Sequence, residues 1–316
     1  MKVVWVVMMM VSMLMADRLI LPIKQFKADA QVIDVVVSDK QLYCATAGSC
    51  VNVFDLKSQK LLKRITVDKI KDFMGDTVDT KIYSVDVYHS KVLMLTEAKQ
   101  GYRRLYIHQD NKSKIVIDYT AQLPIAKAKF IDENNVLLAL LSDEILVYDL
   151  QVQKIKWRVQ ASGSMFSNFA LNEKREKVAV VDESGELQLL STKDGHHLKT
   201  MPAKNLDNVF EVDYKNDIIA TAGKDRRCVI YNMKKQSAYY RSSHFFIYGV
   251  GLSPSAKEAA YSSDENNNIT LFNTQNDTTI ARFGGNKMTI SGIVFLDEKQ
   301  FLVYSDSRTI NLYRVP

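Results

Sequence analysis

ILVYDL, from Ile145 to Leu150, is the stretch on which the fold turns: a short apolar run closing on an aromatic residue followed by a polar one. Close copies of it recur along the chain. They are VNVFDL (Val51 to Leu56), LQLLST (Leu187 to Thr192), CVIYNM (Cys228 to Met233), ITLFNT (Ile269 to Thr274) and INLYRV (Ile310 to Val315), with a weaker copy in LYIHQD (Leu105 to Asp110). With Phe54, Ile107, Tyr148, Leu190, Tyr231, Phe272 and Tyr313 as equivalents, the spacings are 53, 41, 42, 41, 41 and 41 residues. A period of roughly 40 to 45 residues built from short alternating strands belongs to four-stranded propeller blades. The sequence therefore predicts an all-β chain folded as a seven-bladed β-propeller.

Each repeat reads through as four strands. In the third, Ile125 to Ile131, Val136 to Leu141, Ile145 to Leu150 and Ile155 to Val159 are separated by turns at residues 132–135 and 142–144. The sixth copies it with Ile247 to Leu252, Glu258 to Ser262, Ile269 to Phe272 and Thr279 to Phe283. The seventh supplies only three strands, Ile290 to Leu296, Phe301 to Ser305 and Thr309 to Val315, before Pro316. Its fourth is expected from Arg18 to Phe26, where Leu19, Leu21 and Ile23 alternate at period two and would be buried on the seventh blade. An N-terminal strand closing the last blade would leave no open seam.

Ahead of that strand lie Lys2, an apolar run from Val3 to Met15 broken by Ser12, and Ala16 before Asp17. The run is too short to cross a bilayer core of about 30 Å as a helix, and it reads as a secretory signal peptide cleaved after Ala16. A single exported domain over residues 17–316 is expected, periplasmic, monomeric and without stable membrane insertion. Composition is that of an ordinary globular protein, with 42 Lys and Arg against 36 Asp and Glu and 47% apolar residues. That balance excludes disordered and collagenous chains. The mild positive surplus suggests no polyanion partner, and export makes nucleic acid an improbable ligand.

In period and strand pattern, though not in signature residues, the mature chain resembles the WD-repeat β-propellers along essentially its whole length. The family's Gly-His dipeptide is missing from the blades, and Gly195-His196 falls in a turn at the wrong place in the repeat. Its Trp-Asp is present only as Phe54-Asp55 and Tyr148-Asp149, decaying to Tyr231-Asn232 and Phe272-Asn273. The family's blade-stapling tetrad is therefore not expected. Asp149 to Trp157 resembles a segment of quinoprotein-type propellers, whose stacked tryptophans knit blades together, but the mature chain has one such Trp. This makes the outer-membrane assembly propellers and quinone-dependent dehydrogenases poor matches. Among exported propellers the chain is similar to the accessory propellers encoded with periplasmic nitrate reductase in epsilonproteobacteria. That resemblance implies assistance in maturing or assembling a periplasmic respiratory reductase.

Chemistry-bearing motifs are sparse. His89, His108, His196, His197 and His244 show no metal-ligand spacing, and no nucleophile elbow, P-loop or dinucleotide fingerprint is present. No catalytic residue, metal or cofactor is expected. Cys228 shares an inward column with Val51, Ile145 and Ile269 and is read as core. Cys44 and Cys50 flank a hairpin turn, and their even separation permits a disulfide in an oxidising compartment.

The irregular first spacing is the main functional signal. Its excess lies in Val67 to Lys81, and a longer hairpin loop runs from Glu97 to Arg104; both leave the same propeller face and should adjoin. Lys71, Phe73, Met74, Tyr102, Arg103 and Arg104 there, with Arg226 and Arg227 on an equivalent loop, form the candidate surface for a protein partner, since aromatic and Arg side chains dominate binding hot spots. The expected function is a non-enzymatic interaction scaffold. The competing class is an exported propeller enzyme, a metal-dependent hydrolase or lactonase with its site in the central channel.

Overall fold

The structure, a computed structural model, describes residues 19–316; the signal-peptide reading of Met1 to Ala16 lies outside the described residues. Seven four-stranded antiparallel sheets succeed one another along the chain. The first strands of the blades are Val32–Ser38, Ile82–Tyr88, Ile125–Phe130, Phe166–Leu171, Val209–Lys215, Val250–Leu252 and Ile290–Asp297. Each contacts the first strands of its neighbours, so the seven together wall a central channel. The ring is a seven-bladed β-propeller.

Second and third strands are buried on both faces, because each blade is sandwiched between two others. This explains why Asn135–Leu140 and Cys50–Asp55 read as nearly continuous apolar runs, whereas the outermost strand Lys154–Gln160 keeps a mostly exposed pattern. The core is accordingly divided into apolar wedges, one for each pair of neighbouring blades. Leu137, Ile145 and Val147 of blade 3 meet Phe166, Phe169 and Val180 of blade 4 in one of them. Cys228 is fully buried with Val51, Ile145 and Ile269, as its column requires. The pairing register corrects the second repeat: Leu42 faces Phe54 while its counterpart Val92 faces His108, so His108, not Ile107, is equivalent to Phe54.

The chain closes at its N-terminus, but with different residues from those expected. The closing strand is Lys24–Lys27, antiparallel to Thr309–Arg314, and its inward side chain is Phe26, 1% exposed. Leu19, Leu21 and Ile23 are 36%, 64% and 44% exposed, so they do not form the buried row. Pro22 has no N–H for a ladder bond, and the strand starts beyond it. Before it, Ile20 bridges the outer strand of blade 6 by donating to Arg282 O at 2.9 Å and accepting from Gly284 N at 3.0 Å.

The Cys44–Cys50 disulfide that the spacing permits is not formed, and all three cysteines are free and buried. Register explains this. Cys44 lies opposite Asn52 and packs in the wedge between blades 7 and 1, whereas the Cys50 Sγ lies 3.6 Å from Thr46 Oγ1, beside Asp29. Trp157 does join blades: its Nε1 donates to Thr192 O at 3.2 Å, and its ring covers Gly195, where φ of +72° and ring contact leave no room for a Cβ.

Candidate functional site

The insertion between blades 1 and 2 folds as a small hairpin, Ile70–Lys71 paired with Thr77–Val78. Asp72 orders its tip, Oδ1 accepting from Met74 N and Asp76 N at 2.9 Å each, and Gly75 takes φ of +89°. On this fixed tip Phe73 is 95% exposed and Met74 72% exposed, with Lys71 exposed beside them. Such exposure of two large apolar groups on an ordered turn has no packing explanation among the described residues.

The base of the insertion adjoins the blade 2 loop as the sequence suggested. Glu97 N donates to Lys81 O at 2.8 Å, and the Arg103 guanidinium stacks 3.9 Å from the centre of the Tyr83 ring. The other candidate cations divide. Arg104 is held inside the protein, its Nε 2.7 Å from Asp118 Oδ1 and its guanidinium over Tyr119. Arg227 donates to Lys204 O at 2.7 Å and lies over Tyr240, while Arg226 is exposed. Tyr102 and Arg103 are half-buried. Lys71, Phe73 and Met74 therefore stay together and available, Arg226 stands apart on blade 5, and Arg104 and Arg227 brace the loops that carry them.

The face shared by the interblade connections and the loops between second and third strands carries more than the hairpin. Leu141, Met165, Leu206 and Met288 are each between 42% and 66% exposed there. Phe245, Phe246 and Tyr248, in the connection from blade 5 to blade 6, gather beside Phe210, which stacks on Tyr248 at 5.1 Å. On the loops of the opposite face, Val152 is the exposed large apolar side chain among the described residues. Sequence reasoning missed Leu141, Met165, Leu206 and Met288 because each stands alone in its own repeat, and it missed the Phe245–Tyr248 cluster because the connection that carries it adds nothing to the 41-residue spacing from Tyr231 to Phe272.

The central channel forms a cavity of about 680 Å³. Six of the first strands carry a bulge early on; on five of them the residue after it, Asp34, Lys127, Asn168, Glu211 or Gly292, comes to the channel wall, while on Ile82–Tyr88 it is Ser84, buried against the next blade. Most of the polar groups join neighbouring blades. Asp34 Oδ2 accepts from Val85 N at 2.9 Å, Asp86 Oδ2 from Phe130 N at 2.8 Å, and Asp213 Oδ2 from Leu252 N at 2.9 Å. Asn168 Nδ2 donates to Phe210 O at 3.1 Å, and Ser84 Oγ to Ala128 O at 2.9 Å. Three ion pairs also lie on the wall: Lys129 with Asp34 of blade 1 at 3.0 Å, Arg175 of the blade 4 turn with Asp86 of blade 2 at 2.7 Å, and Lys215 with Asp213 of its own strand at 3.6 Å. Burial pushes the Asp34 carboxyl up, but Lys129 and Lys127 hold it below the ordinary carboxylate range.

Glu211 behaves differently. Burial raises its carboxyl to about 7, only partly countered by Lys127, whose own ammonium is lowered by burial despite Glu211. A second raised acid, Asp143, lies at the blade 3–4 junction; burial and then the nearby Asp182 charge lift it to about 7. Its oxygens meet no hydrogen-bond geometry, although Ser162, which donates to Asp182 at 2.6 Å, lies close. Among the described residues, no three His, Cys, Asp or Glu side chains gather as a metal-holding group, and no helix is long and apolar enough to cross a membrane. His196 and His197 are exposed where a turn meets the outer strand of blade 4, which His197 begins.

No protein-family model matches the chain, and no curated protein matches it.

Proposed function

We propose that the protein is an exported, non-enzymatic interaction scaffold that binds a protein partner through the face bearing the interblade connections. The observation that carries this reading is the Phe73–Met74 tip, almost fully exposed on an ordered hairpin beside Lys71. An ordered tip loses little conformational freedom on binding, and a Phe and a Met supply apolar area for a pocket on the partner while Lys71 supports encounter. The resemblance to accessory propellers of periplasmic nitrate reductase supplies the partner class, a component of a periplasmic reductase awaiting maturation or assembly.

A photo-crosslinking residue placed at Phe73, at Met74 and, as control, at Val152 tests the reading in cells of the source organism. Crosslinks to one reductase component from the first two positions and none from Val152 are expected. Equal crosslinking from all three, or none from the hairpin, would refute it. Phe73→Ala with Met74→Ala should abolish capture of that component while stability changes by less than about 0.5 kcal/mol, the usual range for exposed substitutions.

A further inference from the structure

Of the charged first-strand side chains lining the channel cavity, Asp34, Asp86, Lys129, Asp213 and Lys215 all belong to closed pairs or are paired with a turn arginine. Lys127 and Glu211 do not. Among the described residues neither has an oppositely charged atom within ion-pair distance, and Asn168 stands between them. The Lys127 Nζ donates to Asn168 Oδ1 at 2.6 Å and Phe169 O at 3.0 Å and lies 5.2 Å from the centre of the Phe169 ring, leaving one N–H without a hydrogen-bond acceptor among the described residues. Glu211 Oε1 accepts from Asn168 Nδ2 and Val212 N at 3.2 Å each, leaving Oε2 without one.

Blades 6 and 7 leave room opposite. Their corresponding positions are Gly249 and Gly292, and the hydroxyl end of Tyr304 packs against Gly292 where a Cβ would collide with it. Tyr304 lines the cavity, and its hydroxyl, which feels the charges of Asp34 and Glu211, has no protein hydrogen-bond partner among the described residues. The cavity thus presents a cation with a spare donor, an anion with a spare acceptor and a free hydroxyl. A lone cation or anion would complete only one of the two open charges.

We propose that the channel binds a small zwitterion of the amino-acid class, its ammonium group on Glu211 and its carboxylate on Lys127 and the Tyr304 hydroxyl. The volume suits such a solute with accompanying water, falling within the roughly 300–1,000 Å³ of ordinary small-ligand sites. The assignment does not rest on the partner-binding reading, although Leu141 and Phe210 of that face also line the cavity. Binding an ammonium group favours the ionised form of Glu211, whose carboxyl burial has raised to about 7, so binding near pH 6 should release a proton to the buffer. The charged groups acting on Glu211 are Lys127, Asp34 and Asp213.

Calorimetric titration of the mature protein with each standard L-amino acid, and with acetate and methylamine as half-ligands, tests the proposal. At least one amino acid should bind with one-to-one stoichiometry and release a proton near pH 6, measured from heats in buffers of different ionisation enthalpy. The half-ligands should bind at least about tenfold more weakly. Glu211→Gln keeps both hydrogen bonds to Oε1 and the fold, and should lose about tenfold or more in affinity together with the proton release. Tyr304→Phe should weaken binding without removing proton release. No binding by any amino acid, half-ligands that bind as tightly, or an unchanged Glu211→Gln variant would each overturn the assignment.

Discussion

Phe26→Ala tests how the ring is closed. Phe26 is 1% exposed and lies edge-to-face on Phe54 of blade 1 with ring centres 5.7 Å apart. It packs in a wedge with Leu42, Leu302, Ile310 and Leu312, drawn from the first and last blades. Truncating a buried Phe costs about 3–5 kcal/mol through lost transfer energy and the cavity left behind. That is a large share of the roughly 5–15 kcal/mol typical of a folded domain. At about 2 °C per kcal/mol for a chain of this size, the melting temperature should fall by roughly 5–10 °C. The matched control is Leu21→Ala, at a position 64% exposed, which should change stability by less than about 0.5 kcal/mol. Urea unfolding followed by tryptophan fluorescence, with calorimetry beside it, measures both. A Phe26→Ala protein that melts with the parent would show that the strand does not hold the seam. A Leu21→Ala loss as large as that of Phe26→Ala would mean the buried row is Leu19, Leu21 and Ile23 after all.

Other perturbations address the channel and the blade junctions. Arg175→Ala leaves Asp86, 2% exposed, without its ion-pair partner, and should cost about 3–5 kcal/mol in urea unfolding, the usual result of breaking one side of a buried pair. For Asp143 the sign of the pH effect is the reverse of an ordinary carboxylate. Its folded-state pKa of about 7 lies above the ordinary 3.8, so the folded protein holds a proton that the unfolded chain has lost, and stability falls as pH rises from about 4 through 7. Asp143→Asn should remove that fall, gaining up to a few kcal/mol at pH 8 and almost nothing at pH 3, read from unfolding midpoints across pH.

The ring was legible because burial imposes the same demand on every blade. Second and third strands are covered on both sides, so Val136 to Leu140 is apolar throughout and Val51 to Phe54 is broken only by the buried Asn52, whose amide bonds Asp29, and the aromatic at the end of the third strand marks the period. Where that demand relaxes, the pattern misled. His108 stands half-buried in the column that holds Phe54 and Tyr231, so the neighbouring Ile107 looked like the better match. Leu19, Leu21 and Ile23 have the alternation of a buried strand, yet Pro22 interrupts its ladder and Phe26 beyond it takes the core position. The channel ring was invisible for a different reason. A bulge after Val32, Ile125 and Val209 shifts the alternation by one residue, so the parity that assigns Asp34, Lys127 and Glu211 to a face cannot be counted from the flanking apolar residues.

The polar channel wall and the apolar wedges do different work, and their magnitudes separate them. A wedge such as that between blades 3 and 4 removes Leu137, Ile145, Val147, Phe166 and Phe169 from water, at roughly 1.5–3 kcal/mol for each large side chain. A hydrogen bond from Asp34 or Asp213 to the next blade contributes about 0.5–1.5 kcal/mol net, though removing the acceptor strands a buried amide at about 1–3 kcal/mol. The wedges therefore supply most of the stability, and the bonds fix the angle at which one blade meets the next. Asp34, Asp86 and Asp213 are explained by that role, each serving an amide of the following blade and a cation besides. Glu211 is not, because an uncharged Gln would accept the same two hydrogen bonds from Val212 and Asn168 without the desolvation that raises its carboxyl to about 7. A charge kept at a cost, facing a cavity and held away from Lys127 by Asn168, is the kind of perturbed group that marks a binding site rather than a brace.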